Sequence, residues 1–130
     1  MADMTPNLID ALADQALKLK IAVGEFRNTF FDTLTQAQRD GLRTLANQLG
    51  DEMDHLTAVA IRLSLDDLKD ALSHLTGITA GVNDAVAHLG DVRKVLTVAT
   101  SLVGLGAAIA SKDPGIVLAA LNDTVTAVKG

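Results

Sequence analysis

Three histidines stand four residues after an aspartate in a chain otherwise thin in reactive side chains: Asp51/His55, Asp70/His74 and Asp84/His88. On a helix an i, i+4 pair shares one face. Each pair could therefore ligate a divalent cation, or form an ion pair that strengthens as the imidazole takes up a proton. Two of the surroundings repeat, since Asp70-Ala71-Leu72-Ser73-His74-Leu75 and Asp84-Ala85-Val86-Ala87-His88-Leu89 lie two heptads apart. The stretch from Asp51 to Leu56 is a looser third copy. In each copy the adjacent Leu belongs to an apolar seam, which turns the His and its Asp toward the polar side. The spacing predicts three solvated ion pairs, with an inter-chain metal site or a pH-sensitive contact as alternatives. One metal shared by His74 and His88 within a chain is excluded, because two heptads of helix separate them by about 21 Å. A buried two-metal bundle needs inward Glu-x-x-His pairs, and the chain has only Glu25 and Glu52.

Other chemistry is scarcer still. The absence of Cys removes thiol nucleophiles, Cys-ligated zinc, Fe–S clusters and disulfides. No Gly-rich phosphate loop follows a strand pattern, and no Ser/His/Asp arrangement sits in a strand–turn–helix setting. The expectation is a non-enzymatic chain with no cofactor. A net charge of −5 offers no basic face for phosphates, and the only rings besides His are Phe26, Phe30 and Phe31, so nucleic acid is not an expected partner. The three Phe recur at helical spacing, which favours plain core over the lining of an apolar-ligand pocket.

The elements that carry these residues are helices. The chain has 130 residues, 48% of them apolar, is rich in Leu and Ala and has two Pro. Thr5-Pro6 opens a long helix whose Ile9, Leu12, Ala16, Leu19, Val23, Phe26 and Phe30 form an a/d seam. Thr35-Gln36-Ala37-Gln38 has the form of a capping box. It starts a second stripe of Leu42, Leu45, Leu49, Met53, Leu56, Ala60 and Leu63. Ser64-Leu65-Asp66-Asp67 starts a third, ending near Leu89 with Gly90 as C′ residue and Asp91 as the next N-cap. Gly77 and Gly81 fall inside it, where they cost helix stability and mark a close approach of another backbone or a bend. Asp113-Pro114 opens the last helix. With no strand pattern and short loops, the expected fold is all-α: an elongated antiparallel up-and-down bundle of four to five helices without a β-sheet. It is one domain over 1–130, with amphipathic helices in 1–91 and an apolar helical hairpin in 92–130. No secretory signal is visible, so the expected location is cytoplasmic.

The hairpin is the strongest functional cue. Between Lys94 and Lys112 no residue is charged, and the stretch is just short of a bilayer core in length. Val95, Leu96, Val98, Leu102, Val103, Leu105 and Ile109 supply its apolar bulk, and Ile116, Val117 and Leu121 line the returning arm. Gly104/Ala108 and Gly106/Ala110 are small-xxx-small pairs that admit close backbone approach. These residues could form the centre of a soluble bundle, face another copy or a helical partner, or enter a membrane in the manner of a pore-forming protein. Lys112, Asp113, Asn122 and Asp123, with no Trp or Tyr belt, weigh against the membrane. The leading expectation is a helical protein acting by self-association or protein–protein interaction through the hairpin. Membrane association is the alternative, and an apolar-ligand or metal-binding bundle the third.

Overall fold

Apolar residues spaced three and four apart build helices throughout, and the computed structural model describes the backbone of residues 5–51, 53–88 and 91–129. Six helices pack together: α1 (Thr5–Thr29), α2 (Gln36–Leu49), α3 (Met53–Ala60), α4 (Leu65–His88), α5 (Val92–Ser111) and α6 (Pro114–Lys129). No strand occurs among the described residues. The expected four to five helices become six because the second stripe is broken at Gly50. Gly50 caps α2 with its N–H on Asn47 O (3.2 Å), and Lys20 of α1 reaches over the break to Asp51 (3.7 Å).

The starts follow side-chain chemistry. Thr35 Oγ1 accepts from the Gln38 N–H (3.1 Å) while Gln38 Oε1 accepts from the Thr35 N–H (3.0 Å), a complete capping box. Ser64 forms half of one, its Oγ accepting from the Asp67 N–H. Asp91 accepts from the Arg93 N–H, and Asp113 Oδ1 takes the N–H groups of Gly115 and Ile116. Leu89 and Gly90, expected to end α4, lie outside the described residues.

One continuous core draws on every helix, with Phe26, Leu19, Leu45, Leu75, Leu102 and Leu121 among its fully enclosed side chains. The principal neighbours are α1 with α2 and α4, α6 with α4 and α5, and α2 with α5. The five longer helices thus close into a circuit, α1–α4–α6–α5–α2, while short α3 touches α1, α2, α5 and α6.

Short loops were expected to make consecutive helices antiparallel neighbours. Two pairs of neighbours that are not consecutive in the chain run in the same direction. Gln38 meets Thr100, Gly41 meets Val103, and Leu45 with Gln48 meets Gly106, so α2 and α5 run in the same direction. Gly77 faces Val125 and Gly81 faces Val128, so α4 and α6 do too. At each contact a glycine admits a close approach. A Cβ on Gly81 would stand 2.6 Å from Val128 Cγ2, and one on Gly41 would stand 2.7 Å from Val103 Cγ2. Parallel neighbours sink valines into these notches, the close approach that Gly77 and Gly81 foreshadowed.

A candidate association surface on the C-terminal hairpin

Helix α5 is amphipathic by size. Its large residues Val95, Val98, Leu102, Leu105 and Ile109 recur every three or four positions and are buried. The opposite face, Thr97, Thr100, Gly104, Ala107 and Ser111, follows the same rhythm and is exposed. The outer face is set apart by its Thr and Ser hydroxyls as well as by bulk, since Gly104 and Ala107 present almost no surface.

The expectation that bulky residues of the hairpin form its outward face is therefore corrected. Val95, Val98, Leu102, Leu105, Ile109, Val117 and Leu121 lie in the chain's own core, and Leu96 and Val103 are half-buried. Ile116, 50% exposed, is the one of the ten that faces solvent. Apart from Val92 at its start, the helix leaves no large apolar side chain exposed. What it leaves outside is a strip of small residues.

Both edges of the strip are grooved. Toward α6 the floor is Gly104, Ala107 and Ala108, and the wall is Ile116, Ala119, Ala120 and Asp123. Toward α2 the lining is Gly41, Thr44, Gln48, Val103, Gly106, Ala107 and Ala110. Gln48 is 2% exposed, and its Oε1 is enclosed without a hydrogen-bond donor. It lies over Gly106, 3.3 Å from where a Cβ would stand. A buried acceptor left unpaired costs about 1–3 kcal/mol. Across the hairpin itself, Thr124 Oγ1 donates to Ala120 O (2.7 Å) and to Ser101 O (3.3 Å). Among the described residues α5 is the one helix long and apolar enough to span a bilayer, with mean hydropathy 1.6 over its most apolar window.

The histidines divide. Asp84 and His88 form the expected exposed pair, 3.0 Å apart, with His88 Nδ1 also 2.9 Å from Asp84 O. Asp51 pairs with Lys20 instead. His55 and His74 are half-buried, and each has an enclosed Nδ1 without a partner. The expectation that all three His stand on the polar side with their Asp fails for these two. His74 precedes Gly77 and Gly81, which face Val125 and Val128 of α6. Among the described residues no three His, Asp or Glu side chains converge as metal ligands.

One further feature was not foreseen from the residues. Phe31, outside the seam, lies beside the guanidinium groups of Arg27 (5.3 Å) and Arg39 (4.3 Å), which lock the turn between α1 and α2. Arg39 also donates to Leu34 O, and Arg27 to Arg39 O. Phe26 and Phe30 pack against each other in the core, centroids 5.0 Å apart. Comparison with protein-family models, curated proteins and solved structures gave no match, so the case for function rests on this geometry.

Proposed function

We propose that this chain is a non-enzymatic, cytoplasmic helical protein that acts by associating with itself or with a helical protein partner through the outer face of its C-terminal hairpin. The elongated up-and-down chain order of the helices belongs to the same proposal, with α5 and α6 as one outer edge. The observation that carries it is the uncharged strip of small residues on α5 between two grooves. Small residues let helix backbones approach closely and gain dispersion contacts along the whole strip. Exposed Ile116 and Val92 add apolar area at the α6 groove and at the start of α5.

Light scattering over a micromolar concentration series tests it. The expected result is a species of at least twice the 13.5 kDa chain mass. A 13.5 kDa particle at every concentration, with no partner retained on gentle isolation, overturns it.

The second reading, membrane association, is favoured by the length and hydropathy of α5. Insertion would have to pull Leu102, Leu105 and Ile109 out of the core. Flotation of the full chain with anionic liposomes separates the two: association predicts that it stays in the aqueous fraction.

A further inference from the structure

We propose that α3 is a hinged flap, which lifts as a unit from one end of the bundle while the other five helices stay packed.

Eight residues make barely two turns of helix, too few to hold their shape alone in water. Helix α3 therefore depends on what it touches, and its neighbours do not depend on it in return. The circuit α1–α4–α6–α5–α2 closes without it. Both flanks are finished independently. Gly50 ends α2 with its N–H on Asn47 O (3.2 Å). Ser64 starts α4, its Oγ accepting from the Asp67 N–H (3.2 Å) and its carbonyl from the Leu68 N–H (2.9 Å). Rotation after Gly50 and before Ser64 thus breaks no hydrogen bond of α2 or α4.

The flap sits where α2 and α5 finish and α6 begins, because α2 and α5 run in the same direction and Arg62 reaches the turn between α5 and α6. Two tethers hold it there, Lys20 to Asp51 (3.7 Å) and Arg62 Nη1 to Lys112 O (3.0 Å). Both are exposed, and an exposed ion pair holds weakly. The anchors are Leu56, Val59 and Ala60, which are buried, while Asp54 and Ile61 face solvent. One group gains from release. His55 Nδ1 is enclosed without a hydrogen-bond partner, and water supplies one once α3 lifts. Lifting uncovers the three anchors and the parts of α1, α2, α5 and α6 against which α3 packs, so this end of the bundle is the gate to its core.

Native-state hydrogen exchange of the wild-type chain, over a series of low urea concentrations, tests the flap. The amides of Val59, Ala60 and Ile61 should share one opening, populated about tenfold or more above the one that frees Leu75 in α4 and Leu102 in α5. Its urea dependence should be shallower than theirs but not zero, since a limited surface is exposed. Gly81→Ala crowds Val128, at the far end of α6 from the flap. It should speed exchange at Leu75 and Leu102 and leave Val59, Ala60 and Ile61 unchanged. One protection and one urea slope common to all five amides overturns the flap. Exchange in α3 that differs from residue to residue and ignores urea, the mark of fraying, overturns it as well. So does a joint rise of all five amides in Gly81→Ala.

Discussion

Lys112, between α5 and α6, has φ 58° and ψ 18°, in the left-handed region where a Cβ is unwelcome. Its N–H closes α5 on Ile109 O, and its carbonyl accepts from Arg62 Nη1 (3.0 Å), so the turn is held despite the strain. Glycine relieves that strain while adding freedom to the unfolded chain. Lys112→Gly should therefore raise stability by about 0.5–1 kcal/mol, read as a higher urea midpoint at unchanged slope. The sequence did not reveal this strain, because Lys-Asp-Pro-Gly places its glycine three residues later. The caps at Thr35, Asp91 and Asp113 were legible, since each needs only a side chain and the backbone just ahead of it. The imidazoles were half legible. Spacing found the Asp84/His88 pair, but not the partial burial of His55 and His74.

At the level of the helix, a glycine's cost depends on what stands opposite. Gly24 in α1 has nothing within 4 Å of its missing Cβ, so Gly24→Ala should stabilise by about 1 kcal/mol through helix propensity alone. At Gly81 the same methyl would meet Val128 at 2.6 and 2.7 Å. Gly81→Ala should lose about 1–3 kcal/mol net, the cost of overpacking. Urea unfolding of the two variants beside the parent checks both signs. The seam of α1 was readable from the sequence and is buried from Leu12 to Phe30. The outer face of α5 was not, because the uncharged stretch from Val95 to Ser111 reads as apolar overall and its Thr, Gly and Ser positions were not traced to one face. The break at Gly50 was also missed, since the Leu rhythm continues across it into α3.

For the whole molecule, the all-α class followed from composition and periodicity, but the packing order did not. Nothing local states that α4 lies against α6, or that α2 lies along α5; both are contacts between residues far apart in the chain, marked by valines seated on glycines. The shared core makes one large side chain count for all. Phe26, fully buried in α1, touches a core common to every helix. Phe26→Ala should cost about 3–5 kcal/mol, a large share of the 5–15 kcal/mol typical of a small domain. Thermal melts should then show a single, much earlier transition, with no separate early loss of one half.

The same-direction contact between α2 and α5 has a consequence for how the protein is made. Gln38 waits for Thr100, and Gly41 for Val103, some sixty residues downstream. A chain emerging from the ribosome amino end first therefore presents Gly41 and Leu45 before the residues of α5 that they meet, Val103 and Gly106, have been translated. Their concealment is a late, long-range event, and slower growth or a stalled nascent chain should make that region a preferred target for chaperones.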